Sequence, residues 1–139
     1  VLHLCGPGNF NASLEGTRRY TQCEYLDAEM ADAYACADML ISRAGSNTLC
    51  EIVALRKPAL LIPYPKGASR GDQIINAQSF VDRGLAYQLL QENMTPDSLY
   101  EAVVKVYANR GALYEAMDHE PAGNGLENVL REIYKAARK

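Results

Sequence analysis

The chain has 139 residues, of which 48% are hydrophobic and 22% are charged, and its formal net charge is −3 at pH 7. This length suits one domain with a sizeable core, and the apolar fraction excludes an intrinsically disordered chain. No segment approaches the roughly 18 unbroken apolar residues of a membrane span, and the slightly acidic balance disfavours nucleic acid as a partner.

The cysteines and histidines are the first candidates for metal ligands. The cysteines are Cys5, Cys23, Cys36 and Cys50, and no C-x-x-C pair occurs. Because they lie far apart in the sequence and only two histidines accompany them, they form a poor zinc set. We expect buried free thiols in a reducing compartment, His3 in the core, and neither a metal nor a cofactor.

The N-terminal part of the chain alternates short apolar runs with one helical segment. Residues 1–5 predict a buried strand that ends at a glycine-proline-glycine turn, and residues 22–26 predict a second strand. The spacing of apolar residues over 28–37 predicts a helix with Asp27 as its N-cap. Residues 39–42 predict a third strand.

The middle of the chain continues this alternation. Residues 46–55 predict a helix, and residues 59–62, which stand between two prolines, predict the clearest strand of the sequence. The segment 63–71 is rich in proline and glycine and predicts a loop. The helix predicted over 72–83 ends at Gly84, which suits the left-handed position after a helix.

The last part of the chain predicts one more strand, over 86–90, and then three helices. Thr95 is a suitable cap and Pro96 a suitable first residue for the first of these helices. The helices are predicted over 97–108, 112–117 and 126–137, with a turn over 121–125. The whole pattern predicts an α/β fold: a mainly parallel sheet of about five strands with helices on both faces.

A ligand is expected in the loops that follow the strands, because ligands bind at the carboxyl ends of parallel strands. The strand over 39–42 leads through a small-residue turn into a helix whose first turn holds three polar residues, Ser46, Asn47 and Thr48. Free backbone N–H groups and the positive end of the helix dipole favour an anion there. The alternative is that Ser46 or Asn47 merely caps the helix.

Glu51 follows on the same predicted helix. It lies five residues after Ser46, about 7.5 Å along the helix axis, which is close to the separation between the phosphates of a nucleotide and its ribose diol. A carboxylate accepts hydrogen bonds only and can hold two neighbouring hydroxyls. The alternative is that Glu51 is an ordinary surface acid.

Gln73 and Asn76 follow the loop over 63–71. They are three residues apart on one face of the predicted helix, and both amides can donate and accept hydrogen bonds to a sugar. The alternative is a surface loop followed by a helix that Asp72 caps.

Several motifs together resemble one family. They are Arg43-Ala-Gly45, a glutamate in the following helix, Lys57-Pro-Ala-Leu-Leu-Ile-Pro63, Asp72-Gln-Ile-Ile-Asn-Ala77 and Glu24-Tyr-Leu-Asp-Ala-Glu-Met-Ala31. This set resembles the C-terminal, donor-binding half of the MurG family, bacterial transferases that use UDP-N-acetylglucosamine (UDP-GlcNAc) to convert lipid I to lipid II. The resemblance covers most of the chain.

The resemblance implies half of a GT-B glycosyltransferase, that is, a Rossmann-like domain that faces a second domain across a cleft. By this resemblance Glu51 holds the ribose hydroxyls, and the backbone around Leu26 reads the uracil edge. The residues implied along the sugar and diphosphate are Ser46, Asn47 and Thr48, while Gln73 and Asn76 contact the GlcNAc. Arg43 supports the turn and does not touch the ligand.

One departure from the family concerns the phosphates. The family's C-terminal half opens with a strand and a G-G-S-x-G loop that clasps them, and neither is found in this sequence. We therefore interpret residues 1–139 as a donor-binding domain truncated at its N-terminal side. The catalytic base and the site for the lipid-linked acceptor are expected in an absent half.

This interpretation has consequences for the fragment and for the intact enzyme. The fragment alone is expected to be inactive and to be marginally stable or dimeric, because a missing strand leaves an exposed sheet edge. The full-length enzyme is implied to be an inverting transferase of peptidoglycan synthesis, peripheral on the inner face of the cell membrane.

Two other readings of the sequence stay open. One is another GT-B protein that uses UDP-GlcNAc, such as a small donor-binding subunit that works with a membrane partner, or a UDP-GlcNAc 2-epimerase. The other is a non-catalytic module that binds nucleotide sugars or recruits a partner.

Overall fold

The computed structural model describes residues 1–67, 71–120 and 125–137. The chain divides into two compact units, Val1–Ala37 and Asp38–Lys139, here called the first and the second unit. Every strand pair among the described residues is parallel, which confirms the α/β class. The expectation of one five-stranded sheet is wrong, because the strands form one two-stranded and one three-stranded sheet.

The first unit contains β1 (Leu2–Leu4), β2 (Thr21–Cys23) and α1 (Met30–Cys36). β1 pairs in parallel with β2, with Leu2 opposite Thr21. The predicted burial of the first strand is wrong, since all three residues of β1 are exposed. The physical reason is that no residue of this unit is fully buried, so β1 has no apolar layer to face.

The helix of the first unit is shorter than predicted. α1 begins at Met30 after Glu29, with no side-chain cap. Asp27 is therefore not the N-cap, although its backbone carbonyl accepts a hydrogen bond of 3.2 Å from the Met30 N–H. The helix ends at Cys36, close to the predicted boundary.

The second unit begins with three strands and two helices close to their predicted bounds. They are β3 (Leu40–Ser42), α2 (Ser46–Ala54), β4 (Ala59–Leu61), α3 (Asp72–Asp82) and β5 (Tyr87–Gln88). The sheet order is β3-β4-β5, so β4 is its central strand. As predicted, α3 stops before Gly84, which has φ 72°.

Three further helices complete the second unit: α4 (Pro96–Ala108), α5 (Arg110–His119) and α6 (Gly125–Ala137). The predicted cap of α4 is confirmed, since the Thr95 hydroxyl accepts a 3.1 Å hydrogen bond from the Ser98 N–H. Most of the turn predicted over 121–125 lies outside the described residues. No helix in the described part of the chain is long and apolar enough to cross a membrane.

The core of the second unit lies around β4, whose three residues are all buried. α2, α3, α4 and α5 each contribute buried side chains to it. The buried hydrophobic residues are Ala44, Leu49, Ile52, Ala59, Leu60, Leu61, Ile62, Ala77, Leu85, Ala86, Val106, Leu113 and Met117. This core holds in place the turns at the carboxyl ends of β3 and β4.

The thiols and His3 differ from expectation in burial. The four cysteines are free, as predicted, but Cys36 and Cys50 are exposed and the other two are half-buried. Cys50 follows the buried Leu49 on α2 and therefore faces away from the core. His3 is exposed on β1, where its Nδ1 lies 2.6 Å from the Tyr20 hydroxyl, so its predicted place in the core is wrong.

Candidate functional site

The start of α2 lacks a side-chain cap. Gly45 is the N-cap residue, and no side-chain capping hydrogen bond is found there among the described residues. The Leu49 N–H makes a hydrogen bond of 3.0 Å to the Gly45 carbonyl. The N–H groups of residues 46–48, in the first turn of α2, come before this first helical donor and have no acceptor within the helix. The alternative that Ser46 or Asn47 caps α2 is therefore wrong.

The side chains of this first turn differ in exposure. Ser46 and Asn47 are exposed and Thr48 is half-buried. Glu51 lies on the same helix, exposed, directly before the fully buried Ile52. The start of α2 therefore presents backbone donors and small polar groups, with a carboxylate about 7.5 Å further along the axis at 1.5 Å per residue.

The amide of Gln73 is oriented by the loop that precedes α3. Its Oε1 accepts a hydrogen bond of 3.2 Å from the backbone N–H of Tyr64. A backbone N–H can only donate, so the oxygen of this amide must face the loop. The opposite side of the amide, Nε2, can therefore donate to a ligand.

Asn76 has the opposite polarity. Its Nδ2 donates a hydrogen bond of 3.2 Å to the carbonyl of Ala44 in the turn between β3 and α2. Because a backbone carbonyl can only accept, the Oδ1 of Asn76 faces away and can accept from a ligand. This hydrogen bond also brings α3 next to the start of α2, two segments that sequence spacing could not connect.

The side chain of Arg43 was expected to support the turn after β3, but its contacts are with the segment after β4 and with Gln91, a network that the sequence did not indicate. Its Nη1 donates to the carbonyl of Ile62 at 3.0 Å, to that of Pro63 at 3.4 Å and to Oε1 of Gln91 at 2.7 Å. Its guanidinium lies 4.2 Å from the centre of the Tyr64 ring. Gln91 is 48 residues away in sequence, and no local pattern could have identified it.

Leu26 stands apart from the other predicted residues. It belongs to the first unit, follows β2 and is half-buried. The nearby Glu24 carboxylate accepts a hydrogen bond of 2.5 Å from the Gly8 N–H, which ties this segment to the loop after β1. The other six predicted residues all belong to the second unit, so the role of Leu26 stays a prediction.

A cleft of about 240 Å³ lies between the sheet and α4 in the second unit. Gln88, Glu101 and Lys105 are among its lining residues, and none of the predicted site residues lines it. Nε2 of Gln88 is buried without a hydrogen-bond partner in the described part of the structure. No group of three or more His, Cys, Asp or Glu side chains that could hold a metal occurs among residues 1–67, 71–120 and 125–137.

Parallel strands that lead into helix N-termini are the architecture of Rossmann-like α/β domains, which bind ligands at the carboxyl ends of their strands. Solved structures agree. The MurG crystal structure from Acinetobacter baumannii matches with a TM-score of 0.75 and 28% identity over 96% of this chain and 40% of its own length. The glycotransferase of kitacinnamycin, 23% identical with a TM-score of 0.70, shows the same fold over 94% of this chain and 31% of its own length.

Sequence comparison then defines the family. Residues 1–133 match the model of the glycosyltransferase family 28 C-terminal domain, and the chain belongs to this family. A protein of Geobacillus thermodenitrificans is 43% identical over 99% of this chain, and one of Lachnospira eligens is 44% identical over 96% of it. Both are named UDP-N-acetylglucosamine--N-acetylmuramyl-(pentapeptide) pyrophosphoryl-undecaprenol N-acetylglucosamine transferase. The chain spans 39% and 38% of their lengths.

Proposed function

We propose that this chain is the donor-binding part of an enzyme that transfers GlcNAc from UDP-GlcNAc to N-acetylmuramyl-(pentapeptide) pyrophosphoryl-undecaprenol, the step from lipid I to lipid II in peptidoglycan synthesis. Its family membership and the names of its relatives support this activity. The observation that carries the proposal is the hydrogen bond from Asn76 to Ala44, because it joins an anion-binding helix start to a sugar-binding amide.

In this proposal each predicted residue has a role at the donor. The first turn of α2, at Ser46, Asn47 and Thr48, lies along the diphosphate and the sugar, and Glu51 accepts hydrogen bonds from the ribose diol. Gln73 donates to one GlcNAc hydroxyl and Asn76 accepts from another, following the polarity that their backbone partners impose. The backbone at Leu26 reads the uracil edge.

The proposed reaction inverts the anomeric centre. A hydroxyl of the acceptor forms a bond to the anomeric carbon while the bond from that carbon to the diphosphate oxygen breaks, and the hydroxyl proton passes to a base. Negative charge grows on the departing UDP, and the N–H groups at the start of α2 stabilise it. No residue of this chain is assigned as the base, which we place with the acceptor site in a second, N-terminal half.

We propose a peripheral location on the cytoplasmic face of the membrane, where a lipid-linked acceptor is accessible.

Titration of the full-length protein with UDP-GlcNAc, UDP-glucose and UMP tests the proposal. We expect UDP-GlcNAc to bind more tightly than UDP-glucose, because a GlcNAc subsite recognises its own sugar. An assembly module would ignore all three compounds. Another UDP-GlcNAc enzyme would bind the donor but would not transfer GlcNAc to the lipid-linked acceptor, so an assay with that acceptor separates the two.

A further inference from the structure

The segment after β4 is held at its start, where the Ile62 N–H donates to the Ser42 carbonyl at 2.8 Å and Pro63 is fully buried, and its prolines and a glycine limit its further backbone hydrogen bonds. Two of its residues, Pro63 and Pro65, have no backbone N–H to donate, and Gly67 adopts a left-handed φ of 97°. The carbonyls of Ile62 and Pro63 both accept from a single side chain, the guanidinium of Arg43. Two carbonyls of this segment are therefore held by a residue at the end of β3.

A continuous series of contacts leads from Arg43 to the sugar-binding amide. The guanidinium lies against the ring of Tyr64 at 4.2 Å, and the backbone N–H of the same Tyr64 orients Gln73 at 3.2 Å. On the other side, the Gln91 amide oxygen holds the guanidinium at 2.7 Å. A shift of Arg43 would therefore move the donor to which the Gln73 oxygen is bonded.

An arginine suits this position for chemical reasons. Its planar guanidinium can donate to several carbonyls while one face lies on an aromatic ring. A lysine keeps the charge but has neither the flat face nor the fixed arrangement of donors. The contacts of Arg43 thus use the geometry of the group as well as its charge.

We propose that Arg43 is a positioning residue for the donor sugar: it fixes residues 62–64 so that Gln73 presents its Nε2 to GlcNAc. The inference rests on the proposed function and adds a residue that does not itself touch the ligand. The inference assigns the two ends of the donor to different residues. Arg43 acts on the sugar through Gln73, and the start of α2 binds the diphosphate.

The test compares the affinities of UDP and UDP-GlcNAc by calorimetry in the full-length enzyme. For Arg43→Lys we expect UDP affinity to stay within about twofold and UDP-GlcNAc affinity to fall about tenfold, because small misplacements of positioning groups are costly. Arg56→Lys is the matched control, since Arg56 pairs with Asp118 at 2.8 Å and should change neither affinity. An equal loss for both ligands would mean that Arg43 touches the diphosphate, and unchanged affinities would mean that it positions nothing; either result overturns the inference.

A double-mutant cycle shows whether Arg43 acts through Gln73. In a Gln73→Ala background, Arg43→Lys should have no further effect on UDP-GlcNAc, because the group that it positions is gone. If the losses of the two single variants simply add in the double variant, the inference is wrong.

A second variant tests the same contact from the other side. Gln91→Leu removes one acceptor of the Arg43 guanidinium and should give a smaller loss of UDP-GlcNAc affinity, with UDP affinity unchanged. If Arg43→Lys does not fold, an unchanged ratio of UDP-GlcNAc affinity to UDP affinity in Gln91→Leu overturns the proposal. Absence of UDP-GlcNAc binding in the wild type would instead refute the proposed function.

Discussion

The two units of the chain are stabilised in different ways. In the second unit the residues of β4 are fully buried among side chains from four helices. The first unit has a strand pair of the same kind, yet none of its residues is fully buried. A parallel ladder therefore forms in both units, but only one of them has an apolar core beneath it.

The difference bears on the candidate site. Six of the seven predicted residues lie in the unit with the core, on α2 and α3, which both contribute side chains to it. Leu26 lies in the other unit, where hydrogen bonds such as that between Gly8 and Glu24 hold the loops. Segments of fewer than about 40 residues rarely fold alone without a disulfide or a metal, and the thiols of this unit are free. The proposed uracil contact at Leu26 thus belongs to the unit that has no fully buried residue.

The largest predicted effect is on stability, and it compares a buried residue of β4 with an exposed residue of β1. Leu61→Ala in β4 should lower the free energy of unfolding by about 2–5 kcal/mol, because it leaves a cavity in a closed core. Leu2→Ala in β1 is the matched control and should change stability by no more than about 0.5 kcal/mol. Urea denaturation measures both. Equal losses would show that β1 is packed as tightly as β4.

The next prediction concerns Glu51. Glu51→Ala should weaken donor binding about tenfold or more, because a charge-assisted hydrogen bond to the ribose diol is worth about one decade of affinity. The helix should persist, since alanine favours helix. Calorimetry with UDP-GlcNAc and with its 2′-deoxyribose analogue measures this: the wild type should discriminate, and the variant should bind both about equally.

Two results would contradict the role of Glu51. One is a variant that prefers the ribose form by the wild-type margin, which would make Glu51 a surface acid. The other is the same loss of affinity in Glu101→Ala, which removes an exposed acid from α4 and serves as the control.

The polarity of the two amides predicts a smaller effect. Gln73→Glu keeps the oxygen that accepts from Tyr64 but loses the donor, so UDP-GlcNAc affinity should fall about threefold to tenfold with stability unchanged. Asn76→Asp loses the donor to the buried Ala44 and should also lower the free energy of unfolding by about 1 kcal/mol. Thermal denaturation and calorimetry separate the two; equal stability of both variants would refute the assigned polarity.

The smallest effect is expected for an unsatisfied buried amide of the second unit. Nε2 of Gln88 is buried without a partner among the described residues. Gln88→Leu removes this unsatisfied donor, and stability should either stay constant or rise by about 1 kcal/mol. A clear loss on urea denaturation would show that the amide has a partner in solution.

The sequence predicted local structure well where a local signal exists. The prolines on either side of β4, the capping Thr95 and the φ 72° of Gly84 each act within a few residues, and the elements that they bound were found close to their predicted ends. Burial of β1 was not predictable in this way, because an apolar run looks the same whether or not another layer covers it.

From the sequence, the residues of the candidate site could be proposed, but not the hydrogen bonds that connect them to other segments. Spacing along one helix placed Gln73 and Asn76 on a common face. Their backbone partners, Tyr64 and Ala44, lie 9 and 32 residues away, and the distance along the chain carries no information about such pairs. Which amide donates and which accepts could therefore be learned only from the folded structure.

The absence of a side-chain cap at Gly45 bears on which residue selection for stability would favour at that position. Gly45 has φ −70° and ψ 143°, and a Cβ added there would meet no atom within 4 Å, so a serine fits the position. Such a cap would stabilise the helix by a few tenths of a kcal/mol. Its oxygen would also occupy one of the backbone donors that the proposed anion site offers. If α2 binds the diphosphate as proposed, selection for heat resistance alone would favour that serine at the expense of donor binding, and glycine at this position favours binding over stability.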